Sequence, residues 1–490
     1  MTAWPPRILL EDELRSIDSS LATAPDDVEL RFNRAATLTR LGRPVEARTA
    51  FLELLALAPT DFRALNGLGA LLMETGYETA ARTAYAEAVR QHPENPVGHI
   101  NLANALAKKD AIEAARRHFE IALRLAPENA DVHQGLAYLF TRLGDEQAAA
   151  VHRRKVCQTR PVLTLPYRGA SSPVRVLLLA SAAGGAVPIK RHLDDRVFLT
   201  SVLFVDFYDR ALSLPAHDLV FNAVGDADLC ADSLAAAVEV LRRSTAPVIN
   251  PPERVMGTGR VDNARRLARI QGVVTPKMAL LPRALLESSA AASTLSAAGF
   301  DFPLLLRSPG FHTGRFFVQV ENTASLDDAV RGMPGTEFTV MQYLDARGDG
   351  GKIRKYRVMM IDGEIYPLHV AVSHQWKIHY FSAEMADDPT NRAEDAAFLQ
   401  NMTQVLGPRA MASLEAIRET LGLDYAGADF SIGPTGDVLL FEANATMVVN
   451  PVEADPKWDY RRPAVQRVLD AIRRLLTKHA PRQPASAAAA

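Results

Sequence analysis

Residues 427–444 have the sequence GADFSIGPTGDVLLFEAN, in which two apolar runs flank the turn-forming segment GPTGD at 433–437. This pattern predicts a β-hairpin. Because side chains alternate along a strand, Glu442 and Asn444 point to one face, and the turn brings Asp429 alongside them. Two carboxylates and an amide oxygen are hard ligands that Mg²⁺ prefers. The hairpin therefore predicts a magnesium site. An exposed acidic face is the alternative, but an unpaired Glu442 within the apolar run VLLFEA would be costly.

Length and composition limit the classes of protein to consider. A chain of 490 residues is expected to hold more than one domain. Its net charge of −2 argues against nucleic-acid or membrane partners. The only cysteines, Cys157 and Cys230, are far apart, so we expect no disulfide framework. The first residues lack a basic region followed by an apolar core, and no apolar run approaches a membrane-spanning length. These features predict a cytoplasmic protein.

A strict period runs through the first third of the chain. Prolines, alanines and aromatic residues recur at one constant interval, at Pro25, Pro59, Pro93, Pro127 and Pro161, at Ala47, Ala81, Ala115 and Ala149, and at Phe51, Tyr85 and Phe119. Glycines repeat likewise at Gly42, Gly76 and Gly144, with Asp110 in the third cycle. The pattern resembles the tetratricopeptide repeat, a pair of amphipathic helices that stacks on its neighbours. It predicts an all-α solenoid over about residues 26–161, within a repeat domain 1–165.

The resemblance implies that the solenoid binds an extended peptide or a protein partner on its concave face. Candidate groove residues are polar: Asn33, Asn66, Asn101 and Asn104. The alternative is that the repeats form a homo-oligomer or only support the domain that follows.

After a predicted linker at 166–173, the sequence changes to continuous apolar runs such as VRVLLLAS at 174–181. Such runs are typical of buried parallel strands. They alternate with the helical pattern LCADSLAAAVEVLRRS. Residues 174–252 are therefore predicted to form a Rossmann-like α/β subdomain. The turn SAAGG lacks the G-x-G-x-x-G spacing and is a weak phosphate signal.

From about residue 174 to 475 the chain resembles the ATP-grasp ligases, which include D-alanine–D-alanine ligase, glutathione synthetase and RimK-type glutamate ligases. The motifs that carry the resemblance are NAVGD, PVINPP, GRVDNARRLARIQGVVTP at 259–276, FPLLLRSPGFHTGRFF at 302–317, MQYLDA at 341–346 and the hairpin. The resemblance implies a multidomain protein with an α/β (α+β) ATP-grasp domain at 253–475. The tail 476–490 is rich in small residues and is expected to be disordered.

For the nucleotide phosphates, the resemblance implies contacts at Arg260 and Arg307, where the family usually has lysines. Arginine keeps the charge, although the two side chains are not interchangeable. Gly310 and Gly314 surround the polar tip of a loop suited to cover the phosphates with its backbone amides.

For the nucleoside, the resemblance implies that adenine is held by backbone groups around Gln342, Tyr343 and Leu344. The acidic contact to ribose falls on either Asp345 or Asp349, because the segment ARGDGGKIRKYR aligns ambiguously with the family.

The metal ligands implied by the resemblance are Asp429, Glu442 and Asn444, which would hold two Mg²⁺ ions, or Mn²⁺, together with ATP. The arginine that the family often has two residues before the first acid is replaced by Gly427. Arg357, on the predicted strand KYRVMMIDG, is the candidate that clamps the transferred phosphoryl group.

The implied reaction is ATP-dependent carboxylate–amine ligation. The γ-phosphoryl group passes to a carboxylate, an amine attacks the acyl-phosphate, and a C–N bond, ADP and phosphate result. The substrates would be a small-molecule amine or carboxylate and a peptide or protein presented by the repeats. Two alternatives remain: a non-catalytic nucleotide-binding interaction protein, and an ATP-grasp phosphotransferase acting on a small molecule.

Candidate substrate residues cluster in the segment GEIYPLHVAVSHQWKIHYFSAEM at 363–385. We expect His369, His374, Trp376 and Lys377 to line an acceptor or carboxylate pocket. A zinc site is an alternative, but a spacing of five places His369 and His374 on opposite faces of a continuous strand. A half-buried strand with structurally bonded histidines is the other alternative.

Overall fold

The computed structural model describes residues 7–143, 145–187, 189–309, 314, 316–378, 380 and 383–478. The chain divides into two compact units, 1–161 and 162–490. Within the described residues, no helix is both long enough and apolar enough to span a membrane.

The first unit consists of helices joined by short turns. They are α1 (Arg7–Thr23), α2 (Val28–Arg40), α3 (Pro44–Leu57), α4 (Phe62–Glu74), α5 (Glu78–Gln91), α6 (Pro96–Ala107), α7 (Ile112–Leu125), α8 (Ala130–Leu143) and α9 (Glu146–Thr159). Helices α2, α4, α6 and α8 begin at equal intervals, in step with the sequence period. The side chains of Asp27, Asp61, Asn95 and Asn129 accept hydrogen bonds from the first-turn amides of these helices. The periodic prolines follow α3, α5, α7 and α9, where a helix cannot continue.

Successive helix pairs pack through an aromatic ring placed against a glycine. A Cβ atom added at Gly67 in α4 would lie 2.6 Å from Cζ of Phe51 in α3. Phe119 in α7 lies even closer to Gly135 in α8. The rings are buried, so the phased aromatic and small residues build the core of this unit.

The second unit begins with a mostly parallel sheet. Its elements are β1 (Val162–Thr164), β2 (Val174–Ala180), β3 (Phe198–Phe204), β4 (Leu219–Asn222), α10 (Ala231–Leu241) and β5 (Val248–Ile249). The strand order is β1-β3-β2-β4-β5, and only the pairing of β1 with β3 is antiparallel. The continuous apolar runs thus form buried strands. Residues 162–164, within the predicted repeat domain 1–165, lie instead in this sheet because they pair with β3.

A second sheet, here called the small sheet, follows. Its region contains α11 (Pro252–Met256), α12 (Arg260–Leu267), β6 (Val273–Val274), β7 (Met278–Pro282), α13 (Arg283–Leu286), α14 (Ala291–Ala297), β8 (Leu304–Arg307), β9 (Phe317–Val320), α15 (Thr323–Gly332) and β10 (Glu337–Gln342). The small sheet has the order β7-β10-β8-β9 and is antiparallel. It has its own apolar cluster, which includes Leu304, Leu306 and Phe338.

The third sheet, here called the large sheet, has the order β12-β11-β13-β14-β6. The remaining elements are β11 (Ile353–Ile361), β12 (Glu364–Ser373), α16 (Pro389–Gln400), α17 (Met402–Leu421), β13 (Tyr425–Ile432), β14 (Val438–Asn444) and α18 (Arg462–Thr477). Strands β13 and β14 are the predicted hairpin, antiparallel around the turn at 433–437. This second unit is a mixed α/β structure.

Two segments of the second unit differ from the sequence-based expectation. The segment 363–385 is not one continuous strand, because β12 ends at Ser373 and bends follow, so His374 lies beyond the strand. Of the tail predicted at 476–490, Leu476 and Thr477 belong to α18, and residues 479–490 lie outside the described residues.

Candidate functional site

The predicted metal and clamp residues form one row across the large sheet. His369 pairs with Arg357, Arg357 pairs with Asp429, and Asp429 pairs with Glu442. Directly opposite residues on neighbouring strands point to the same face. The pairing register therefore brings together four side chains that come from four different strands.

Asp429 is the centre of this row and is 3% exposed. Arg357 donates two hydrogen bonds to its carboxylate, at 2.6 and 2.8 Å, and Lys355 donates a third at 3.0 Å. Burial acts to raise the pKa of Asp429, but Arg357 and Lys355 outweigh it and hold that pKa well below its ordinary value. The carboxylate is ionised and fixed in place.

Glu442 has a cation of its own. Arg260, the first residue of α12, lies 3.0 Å from the Glu442 carboxylate. The start of α12 is held by Asp228, which accepts from the Arg260 backbone amide at 2.9 Å. Burial acts to raise the pKa of Glu442, yet the net shift is downward, with Arg260 the largest opposing cause. Asn444 donates to Glu442 at 2.9 Å, while its Oδ1 accepts from the hydroxyl of Thr446.

A cavity of about 550 Å³ is lined by residues of both the large and the small sheet. The large sheet contributes the row described above, and the small sheet contributes Arg307, Phe317 and Gln342. The described lining includes six cationic side chains and two carboxylates: Arg260, Arg307, Lys355, Arg357, Lys377 and Arg461, with Asp429 and Glu442. This excess of positive charge suits an anionic ligand, and the volume suits a small molecule.

Most of the predicted nucleotide and substrate residues line this cavity. They are Arg260, Arg307, Gly314, Gln342, Tyr343, Leu344, Arg357, His369, Trp376 and Lys377. Burial and the neighbouring Arg260 lower the pKa of Arg307. Gly314 has a φ of +73° and lies so close to Lys377 that an added Cβ would be 2.7 Å from its Cε. Lys377 donates a hydrogen bond to the backbone carbonyl of Phe317 at 3.1 Å, which connects the segment after β12 to β9 of the small sheet.

Other predicted residues lie elsewhere. Asp345 is ion-paired with Arg347 at 2.7 Å and is not among the described lining residues. His374 is exposed and lies 3.2 Å from Glu384. Asn444 lines a smaller neighbouring cavity that shares Glu442 and Arg260 with the main one. Gly310 lies outside the described residues, as does the side chain of Asp349.

His369 is 7% exposed and stands beside Tyr380, their rings 4.6 Å apart. Burial, followed by Arg357 and Arg461, holds the pKa of His369 well below its ordinary value. It is therefore neutral at pH 7.

Sequence reasoning missed Arg461 and Asp395. Arg461 lines the cavity, and Asp395 is a fully buried acid behind it. Neither residue stands out in the sequence, because Arg461 lies in the charged segment PKWDYRR and Asp395 in the polar helix start PTNRAED.

The predicted metal ligands fit Mg²⁺ in part. Asp429 and Glu442 are adjacent carboxylates that face the cavity, and phosphate oxygens of a nucleotide could complete the ligand set that this ion takes. Asn444, however, turns its amide oxygen toward Thr446. Throughout the described part of the chain, no group of three or more His, Cys, Asp or Glu side chains is arranged to hold a metal ion.

Comparison with known proteins concerns the first unit. A family model described as tetratricopeptide repeat matches residues 14–62, 32–96 and 100–152. The repeat assignment is therefore confirmed. The N-terminal region is a tetratricopeptide-repeat array. In this array the amide of Asn101 in α6 donates to Asn66 in α4 at 3.2 Å, whereas Asn104 is exposed. Such stacked helix pairs bind protein or peptide partners along an extended surface.

Several solved structures are similar to the same region. A fragment of MamA from Desulfovibrio magneticus RS-1 is 26% identical, covering 31% of this chain and 85% of that chain, with a TM-score of 0.29. TTC0263, a thermophilic TPR protein of Thermus thermophilus, is 21% identical, covering 30% and 81%, with a TM-score of 0.28. YrrB, a TPR protein with an unusual peptide-binding site, is 16% identical, covering 31% and 78%, with a TM-score of 0.27. No curated protein matches the chain.

Proposed function

We propose that the second unit has an ATP-grasp fold and that the protein is an ATP-dependent carboxylate–amine ligase. The observation that carries this proposal is the cavity between the large and small sheets, with Asp429 and Glu442 on one side and Arg307 on the other. A triphosphate with its metal needs both carboxylates and cations close together, and this cavity supplies both.

The side chains have distinct roles in this proposal. Arg260 and Arg307 bind the nucleotide phosphates, and backbone groups around Gln342 and Leu344 hold the adenine. Asp429 and Glu442 would hold Mg²⁺, and Asn444 would join them once its amide oxygen left Thr446; the ion would neutralise charge on the transferred phosphoryl group. Arg357 is fixed by Asp429, so its guanidinium is preorganised to stabilise the same charge.

The ligase proposal requires no protein nucleophile. The substrate carboxylate takes the phosphoryl group, and the amine then displaces phosphate from the acyl-phosphate to form the C–N bond. We propose that the tetratricopeptide repeats recruit a peptide or protein, either as the substrate or as a partner.

One observation favours a second candidate, a nucleotide-binding protein without ligase activity. Both oxygens of Asp429 already accept hydrogen bonds from Lys355 and Arg357. A metal at Asp429 would therefore share the carboxylate with two cationic side chains that already bind it. Measurement of turnover separates the two candidates.

The test uses the Glu442→Gln variant of the full chain. With ATP, Mg²⁺ and mixtures of carboxylates and amines, the parent is expected to release phosphate only when both substrates are present. Glu442→Gln should lower this rate by at least about 100-fold. Glu415→Gln, on the exposed face of α17, is the matched control and should have no effect. An unchanged rate in Glu442→Gln would show that the metal assignment is wrong, and nucleotide binding without any turnover would favour the second candidate.

A further inference from the structure

The cavity reaches a buried arginine that no role in the proposed reaction uses. Arg461 ends the short helical segment Pro456–Arg461 that precedes α18. It lines the main cavity and also an adjoining cavity of about 170 Å³. Tyr380 and Pro451 are the other described residues that line both. Arg461 therefore lies between two neighbouring cavities.

Within the described part of the chain, one guanidinium nitrogen of Arg461 is buried without a hydrogen-bond acceptor. The residue is 8% exposed, and its Nε has no hydrogen-bond partner among the described residues. Its guanidinium carbon lies 4.1 Å from the centroid of the Tyr380 ring. Its nearest recorded carboxylate oxygen, on Asp395, is 3.7 Å away from Nε. Buried donors are nearly always hydrogen-bonded, so a buried donor without a partner needs a physical reason, and a ligand that supplies the acceptor is one.

Asp395 does not supply that acceptor because other donors already bind it. One oxygen of Asp395 accepts from the Val370 amide at 2.8 Å. The other accepts from the hydroxyls of Tyr380 at 2.9 Å and Tyr460 at 2.7 Å. Other donors thus satisfy the Asp395 carboxyl, whose pKa is raised by burial, and Arg461 lies beside it in the cavity lining without a hydrogen bond to it.

The cations at the centre of the site are already matched. Lys355 and Arg357 bind Asp429, and Arg260 lies against Glu442. Arg461 differs from them because its ion pair with Asp395, at 3.7 Å, is too long for a hydrogen bond. The walls near it include the aromatic and apolar residues Trp376, Ile378, Tyr380 and Trp458, and the adjoining cavity also has Glu453 and Lys457 in its lining.

We propose that Arg461 binds a free carboxylate of a substrate, one that the reaction does not consume. This inference rests on the proposed function, because the consumed carboxylate must lie near Arg357 and the nucleotide. A planar guanidinium binds a carboxylate through paired hydrogen bonds, which gives both affinity and orientation. The substrate is then either an amine that carries its own carboxylate, such as an amino acid or a peptide C-terminus, or an acyl donor with two carboxylates.

The first experiment measures binding without turnover. Benzoate and its neutral analogue benzamide are titrated into the full chain, and contact is followed by saturation-transfer NMR. Benzoate should bind and benzamide should not. Arg461→Ala should weaken benzoate binding by about tenfold or more, and Arg461→Lys should recover part of it. Arg474→Ala, on α18 outside the cavity, is the matched control. Failure of benzoate to bind the parent at millimolar concentration, or equal binding to Arg461→Ala, would overturn the inference.

Binding of Mg²⁺-ATP to the same samples separates the two proposals and reports on folding. If nucleotide binds equally to the parent and to Arg461→Ala, and benzoate also binds equally to both, only the inference about Arg461 fails. If benzoate depends on Arg461 but no nucleotide binds, only the proposed function fails.

A second experiment identifies the substrate that carries the carboxylate. Phosphate release is compared for L-amino acids and their α-amides, and for dicarboxylic acids and their monoamides. If the α-amides stimulate phosphate release less than the amino acids do, the carboxylate that Arg461 binds belongs to the amine substrate. If the monoamides stimulate it less than the dicarboxylic acids do, that carboxylate belongs to the acyl donor. Equal stimulation by the acid and the amide in both pairs would contradict the role of Arg461.

Discussion

At the residue scale, Asp429 has the most concentrated set of charged contacts in the candidate site. Asp429 is nearly completely buried, so its negative charge is stabilised by Lys355 and Arg357. The carboxylate in turn compensates the positive charges of these two side chains. Removal of one partner from such a buried group leaves the others uncompensated.

Asp429→Asn is therefore expected to destabilise the protein by about 3–5 kcal/mol, because Lys355 and Arg357 would remain buried without an anion. Urea unfolding measured by tryptophan fluorescence checks this, since Trp376 and Trp458 lie in the same unit. The control is Asp437→Asn, which removes a solvent-screened ion pair with Arg409 and should shift the unfolding midpoint far less. Similar midpoints for both variants would contradict the expectation.

At the scale of elements, two helix pairs of the repeat array, α6 with α7 and α8 with α9, each contain a pair of hydrogen-bonded histidines. Nδ1 of His99 in α6 lies 3.0 Å from Nδ1 of His118 in α7, and His133 in α8 lies 2.8 Å from His152 in α9. The Nε2 atoms of His99 and His133 face carbonyl oxygens, so they carry the proton and their Nδ1 atoms accept. One proton then serves each pair, and a second would place two donors face to face.

This arrangement predicts that acid loosens α6–α9. Burial, with a contribution from the partner histidine, lowers the pKa of His118 and His152 below 6.5. The unfolded chain therefore binds more protons than the folded chain once the pH falls below that value. Stability contributed by the pairs is complete above pH 6.5 and is lost as the pH falls toward the lower folded pKa.

Hydrogen exchange of the full chain, corrected for intrinsic rates, should show lower protection in α6–α9 at pH 5.5 than at pH 7.5. Helices α2–α5, whose sequences contain no histidine, are the internal control. Replacement of His118 and His152 by phenylalanine should remove the difference. A uniform change across α2–α9 would show that the pairs are not its cause.

At the scale of the whole molecule, the described residues that line the main cavity all lie between residues 260 and 461. They belong to the second unit, and the repeat match ends at residue 152. Residues 162–490 produced alone should therefore bind Mg²⁺-ATP as tightly as the full chain, measured by calorimetry. Residues 1–161 should not bind it. Binding weakened by more than about tenfold in the 162–490 fragment would show that the repeats contribute to the site.

The sequence alone was sufficient where structure depends on near neighbours. The helix pairs followed from the strict sequence period, because each repeat contacts mainly the next one and its contacts recur at fixed spacing. The hairpin that carries Asp429 and Glu442 followed from the alternation of its strands and the turn between them. The position of His374 did not follow from the sequence, because no local signal indicated that β12 ends at Ser373.

Tertiary structure alone determined which distant residues share the cavity. Asp429 meets Arg357 through the register of β11 and β13, and Arg461 meets Asp395 although the two are far apart in the sequence. Neither contact leaves a periodic pattern, because each depends on how separate strands and helices pack. The repeat array and the hairpin were thus determined by local sequence. The charge pattern of the cavity, and the buried arginine at its edge, arise only when those elements are brought together.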